Sequence, residues 1–169
     1  MSTRTKISLE EYLHTSFEDG PDREYVDGEL VERAMPTFEH GLLQGRWLEI
    51  FSAYRKSHSL WAVPEVRNRL SPTRYRIPDV AIYDHRVKDD YPSTPPVVAI
   101  EIMSPDDRMS EIMKKLGEYS AWGIRHIWLI DPRRESLQTY EQGTLRDVTS
   151  FPLPEYGITI DASEIFEIS

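Results

Sequence analysis

Two carboxylates stand in stretches that are otherwise apolar: Asp79 in Ile-Pro-Asp-Val-Ala-Ile-Tyr, residues 77–83, and Glu101 in Val-Val-Ala-Ile-Glu-Ile-Met, residues 97–103. An ionised carboxylate in a buried strand is costly unless it is paired or coordinates a metal. Folded back as an antiparallel hairpin, the two stretches place Asp79 beside Glu101, because each is about equally far from the middle of the loop between them. Strand alternation puts Asp79 on a face with Ala81 and Tyr83, and Glu101 on a face with Val97, Ala99 and Met103. Small neighbours leave room for an ion, and two adjacent carboxylates repel unless a cation joins them. Hard oxygen ligands select magnesium or manganese. A divalent ion there would polarise a phosphoryl oxygen and generate hydroxide from bound water. Lys115 follows on a segment of helical periodicity, one turn after Ile112 and one before Tyr119. Its ammonium would stabilise developing negative charge or position the attacking water. Glu111, one turn earlier, offers the alternative of a surface ion pair, and Lys114 points about a hundred degrees away, toward solvent.

These residues need a mixed α/β frame. Residues 76–83 read as a strand beginning at Pro78, at an edge or bulge, because proline donates no ladder hydrogen bond. Residues 97–103 are apolar at nearly every position, as a central strand covered on both faces should be. A helix is expected over about 108–122, closed by Gly123, and a second buried strand over 126–130. Strand–helix–strand order predicts a right-handed crossover with these two strands parallel. Upstream, Ser8-Leu-Glu-Glu11 is a capping box for a short helix. Residues 15–22 read as a loop, Asp27-Gly28 as a hairpin turn between 23–26 and 29–33, and 38–56 as the longest helix. Short strands are expected at 60–63 and 65–70, weaker ones at 136–140, 145–148 and 157–160, and a last helical turn at 163–166. The four tryptophans are expected in the core. The histidines show no ligand spacing, and no glycine loop fits a nucleotide fingerprint.

With 169 residues the chain suits a single domain, its core about residues 23–150. It has no cysteine and no apolar run near the roughly 18 residues of a membrane span. The opening Met-Ser-Thr-Arg-Thr-Lys has no signal-peptide core, so the cytoplasm is the expected compartment. A net charge of −9 argues against a module whose whole task is wrapping nucleic acid, since phosphate neutralisation needs basic surface. It leaves room for an enzyme with one local patch: Arg67, Arg69, Arg74 and Arg76 precede Asp79 and are candidate DNA contacts, or simply solvated arginines. Glu39 lies one turn before Leu43 on the apolar stripe of its helix. It is either a further metal ligand or an acid facing the helix dipole.

Ile-Pro-Asp79-Val, Glu101-Ile-Met-Ser-Pro, Lys115-x-x-x-Tyr119-x-x-x-Gly-Ile and Trp128-Leu-Ile-Asp131-Pro, in that order, resemble the Uma-type putative restriction endonuclease family. That family belongs to the PD-(D/E)XK nuclease superfamily. Tyr25-Val-Asp-Gly-Glu-Leu and Glu39-His40 extend the resemblance over about residues 8–161. It implies a restriction-endonuclease-like core and cleavage of DNA by a protein that often acts as a homodimer. It also implies a magnesium or manganese ion on Asp79 and Glu101, with the Ile102 carbonyl as a further ligand. The superfamily lysine two residues after the glutamate is replaced by Met103. In the Uma-type family it stands on the following helix, where Lys115 occupies the matching place. The alternative is a catalytically inactive relative that keeps the fold for binding or assembly.

Overall fold

In the computed structural model, whose described residues are 5–166, the first element is helix α1 (Leu9–Leu13). The Ser8 hydroxyl caps it, accepting from the Glu11 amide at 3.1 Å. Residues 1–4, in the opening stretch on which the signal-peptide expectation rests, lie outside the described residues. Strands β1 (Glu24–Val26) and β2 (Glu29–Val31) form the expected hairpin. Asp27 (φ 50°) and Gly28 (φ 89°) both adopt the left-handed conformation that a two-residue turn of this kind requires.

Helix α2 (Phe38–Ser52) is shorter than its apolar periodicity suggests. A tight bond from the Tyr54 amide to the Phe51 carbonyl ends it, and α3 (Arg55–His58) is a separate turn. Next come β3 (Trp61–Pro64), β4 (Asn68–Ser71), β5 (Arg74–Arg76), β6 (Val80–Tyr83) and β7 (Val98–Ile102). The stretch read as one strand from residue 76 is therefore two strands in two sheets. Pro78 supplies no donor and restricts Ile77 before it, so the chain leaves one sheet at Arg76 and joins another at Val80. Strand β6 is not an edge, since it lies between β3 and β7.

Helix α4 (Met109–Trp122) ends at Gly123, whose φ of 109° only glycine adopts at little cost. Strands β8 (His126–Asp131), β9 (Ser136–Glu141) and β10 (Thr144–Val148) follow. Then come β11 (Ser150–Leu153), a 3-10 turn (Pro154–Tyr156), β12 (Ile158–Asp161) and α5 (Ala162–Phe166).

The fold is a mixed α/β arrangement. Its largest sheet has six strands in the order β10-β9-β8-β7-β6-β3, parallel between β7 and β8 and antiparallel elsewhere. A four-stranded sheet, β2-β1-β5-β4, and the β11–β12 pair complete it. One face of the large sheet presents Val80, Ile82, Val98, Ile100, Trp128 and Ile130 to Leu43, Trp47 and Phe51 of α2 and to Phe151 and Ile160. The other presents Ala99, Ile127 and Leu129 to Leu116 and Tyr119 of α4. Strands β7 and β8 are thus covered on both sides, which explains their continuous apolar composition. Trp47 and Trp128 are fully buried, whereas Trp61 and Trp122 are half-buried. Among the described residues no helix is long and apolar enough to cross a membrane.

Candidate active site

Register places the carboxylates together. Val80 pairs with Ile100 across the antiparallel β6–β7 ladder, so the preceding Asp79 faces Glu101. Asp79 is tied down on both oxygens. Its Oδ2 accepts the Ile102 amide at 2.7 Å, and its Oδ1 lies 3.0 Å from Arg33 Nη2 and 3.3 Å from His40 Nε2. Gln44 of α2 also donates to the Asp79 carbonyl at 2.9 Å. Glu101 points to the α4 side. Its Oε1 accepts the Tyr119 hydroxyl at 2.7 Å and faces Lys115 Nζ at 2.9 Å. Lys115 Nζ also reaches Glu24 Oε1 at 2.7 Å and donates to the Ile77 carbonyl at 3.1 Å. The strand break at Pro78 is what presents that carbonyl, and the Ile77 amide donates to Glu24 at 2.8 Å.

A cavity of about 110 Å³ opens onto this network. Asp79, Glu101, Ile102, Met103 and Lys115 line it, with Glu24, Arg33 and His40. Burial alone would push Asp79 up, but the His40 hydrogen bond and the charges of His40, Arg33 and Lys115 outweigh it and hold the carboxyl below its ordinary range. Glu101 behaves oppositely. Burial, reinforced by Asp79 and Glu24, pushes it up to about 7 despite Lys115. Lys115 is raised: burial opposes its charge, but Glu101 and Glu24 overcome that. His40 is raised in the same way through Asp79, and Glu24 is lowered by Lys115 and Arg76 against its burial.

Asp79, Glu101, Ile102 and Lys115 are thus brought together. Glu39 is not: it is exposed in the first turn of α2 and does not line the cavity, while His40, about a hundred degrees round the helix, turns inward. The four arginines do not make a free cationic patch, because three of them are held by carboxylates. Arg67 grips both oxygens of Asp22 at 2.7 Å and lies 4.1 Å over the Tyr12 ring. Arg76 is buried between Glu24 (2.8 Å) and Glu118 (2.6 Å). Arg74 pairs with Asp27 at 2.6 Å, and Arg69 is exposed.

Sequence reasoning passed over Glu24, Arg33 and His40. For His40 a signal existed, since His40, Leu43, Trp47 and Phe51 form the buried stripe of α2. For Glu24 and Arg33 there was none, because their burial arises from contacts between distant segments.

The donor set suits a hard cation in part. Glu101 Oε2 carries no hydrogen bond among the described residues, and seven carboxylates line the cavity against Arg33, Arg76, Lys115 and His40. A cation would relieve that surplus of negative charge. Yet no three His, Asp or Glu side chains among the described residues are gathered as a ready-made metal site. Asp79 Oδ1 already holds two nitrogen partners.

Comparison with known proteins agrees with this architecture. A crystal structure of a putative nuclease belonging to DUF820 from Anabaena variabilis superposes with a TM-score of 0.80 at 21% identity. The match covers 95% of this chain and 97% of that one. The DrdV–DNA complex aligns at a TM-score of only 0.39 and 13% identity, over 72% of this chain and 11% of that one, too remote to inform the site. No curated protein matches the sequence. The family model Uma2, described as "Putative restriction endonuclease", matches residues 9–167, nearly the whole chain, and the chain belongs to that family.

Proposed function

We propose that the protein is an endonuclease that hydrolyses DNA phosphodiester bonds with a magnesium or manganese ion. The observation that carries this reading is the meeting of Asp79, Glu101 and Lys115 in one cavity, with Lys115 Nζ 2.9 Å from Glu101 and Asp79 in register beside it. Family membership supports it. Asp79 and Glu101, with the Ile102 carbonyl, would hold the ion; Glu39, outside the cavity, is left out. When bound, the ion supplies Lewis-acid polarisation of the phosphate and a lowered pKa for water.

The chain's own residues do the rest. The Ile102 amide and the Tyr119 hydroxyl fix one oxygen of each carboxylate. Lys115 brings a positive charge into the cavity where the phosphate gains negative charge as water adds to phosphorus and the P–O bond of the leaving nucleotide breaks. Glu24 and the Ile77 carbonyl hold that ammonium in place. Arg69, exposed on β4, is available to the DNA backbone.

Nicking of a supercoiled plasmid in manganese tests the reading. The wild type is expected to cut, and Glu101→Gln and Lys115→Met to lose at least about a hundredfold in rate. Lys115→Met also leaves buried Glu101 without its cation and Glu24 with Arg76 alone, at about 3 kcal/mol of stability, so a melt must show that it is folded. A folded wild type that binds duplex but cuts no DNA in either metal sinks the proposal. That result favours a second reading, a non-catalytic DNA-binding relative, which the engagement of both Asp79 oxygens and Met103 in place of the superfamily lysine support.

A further inference from the structure

The guanidinium of Arg33, on the connection between β2 and α2, is only half matched inside the protein. Its Nη2 bonds Asp79 at 3.0 Å and reaches Glu65 at 3.5 Å. Its Nη1 is buried and has no partner among the described residues. An unmatched buried donor costs about 1–3 kcal/mol, more on a charged group, and arginine cannot shed its charge to avoid the cost. The second oxygen of Asp79 is not free for it, since it takes the Ile102 amide. Arg33 lines the cavity that holds Glu101 and Lys115, and 10% of its side chain is exposed. Across Asp79, His40 has its Nδ1 buried without a partner as well, so two orphaned nitrogens flank one carboxylate at the cavity wall. Arg74 also has an unmatched Nε, but it does not line the cavity.

We propose that Arg33 is a substrate-binding residue, anchored through Nη2 on Asp79 and offering Nη1 to a phosphate oxygen of the nucleic-acid backbone. The planar fork of arginine suits that task, one branch fixed and the other presented. Nη1 is covered, so the anion reaches it through a shift of the Arg33 side chain, which its longest contact, from Nη2 to the partly exposed Glu65 at 3.5 Å, restrains little. Of the four arginines ahead of Asp79, three are engaged with carboxylates of the protein, and the fourth, Arg69, does not line the cavity, which leaves this task there to Arg33. Identifying the phosphate as a phosphodiester rests on the nuclease reading; the anion site itself does not.

Inorganic phosphate, titrated at constant pH and ionic strength while the His40 ring resonances are followed by NMR, tests the site without any cleavage. Wild type, Arg33→Lys and Arg33→Gln are compared, each shown to be folded by its thermal melt. A saturable His40 shift is expected in the wild type, about tenfold weaker phosphate binding in Arg33→Lys, and none in Arg33→Gln. Lysine keeps a cation beside Asp79, so it decides the matter if the glutamine variant does not fold. Unmoved His40 resonances in the wild type, or wild-type phosphate affinity in either folded variant, overturns the proposal. Duplex cleavage assayed in parallel separates it from the nuclease reading. Arg33-dependent phosphate binding by a protein that cuts nothing keeps the anion site and removes the nuclease. Cleavage with an unaltered KM in Arg33→Lys does the reverse.

Discussion

Glu101 and its neighbours make the folded protein titrate where an ordinary carboxylate would not. Burial, with Asp79 and Glu24 nearby, pushes Glu101 up from 4.5 to about 7. Between those limits the folded state holds a proton that the unfolded chain has released, so stability falls as pH rises through that window. The loss is at most about 3 kcal/mol, from 1.36 kcal/mol per unit. His40 acts in the same direction at higher pH: its raised folded value gives stability that is complete below about 6.5 and disappears as pH climbs through that value. Glu24 and Asp79, both lowered, lose their contributions only on acidification below the ordinary carboxylate range. Chemical denaturation from pH 5 to 8 should therefore show declining wild-type stability. Glu101→Gln should remove the part of the decline below pH 7, and an unchanged profile would mean that Glu101 is ionised throughout. At this scale the sequence told much about the central strands and little about the first hairpin and the connection after it. Asp79 and Glu101 were conspicuous because their neighbours are apolar, and one helical turn from Ile112 placed Lys115. Glu24 and Arg33 sit among other polar residues, Arg23 and Glu32 among them, and nothing local distinguishes the buried charge from the exposed one.

The elements position these residues through two opposed faces of one sheet. Glu101 leaves β7 toward α4, whereas Trp128 of β8 leaves the other side and stacks on Phe151 of β11, rings 4.3 Å apart and 7° from parallel. Phe151→Ala should cost about 3–5 kcal/mol by opening a cavity next to Trp47 and Trp128. It should do so without disturbing the carboxylates across the sheet. Urea unfolding would show the loss, and the phosphate titration should be unchanged; a weakened titration would mean that the two faces are mechanically coupled. The central strands, the parallel crossover and the caps at Ser8 and Gly123 were readable, because periodicity and turn chemistry act locally. Strand β11 was not, since Ser-Phe-Pro-Leu carries a proline and pairs only with β12. The transfer of the chain between sheets at Pro78 was also missed. A proline that starts a strand and one that separates two strands look alike until the partners of each side are known.

For the molecule as a whole, charge limits how DNA can be held. With a net charge of −9 and Arg67, Arg74 and Arg76 engaged by carboxylates, few cations remain for phosphates. Each phosphate neutralised on duplex DNA contributes about −0.9 to the slope of log affinity against log salt concentration. If Arg33, Arg69 and Lys115 are the contacts of one chain, the slope should be about −3. The homodimer expected from the resemblance would engage both strands and about double that value. Binding of a short duplex in calcium, followed by fluorescence anisotropy across a salt series, gives the slope. Sedimentation in the same buffers gives the mass against the 19.8 kDa of one chain. A slope near −3 from a monomer places recognition at the cavity itself, with DNA shape rather than a basic surface selecting the substrate. A doubled slope from a dimer means that two cavities share one duplex. A slope far steeper than either requires a cationic surface that the described residues do not present, and it would move the DNA interface away from this cavity.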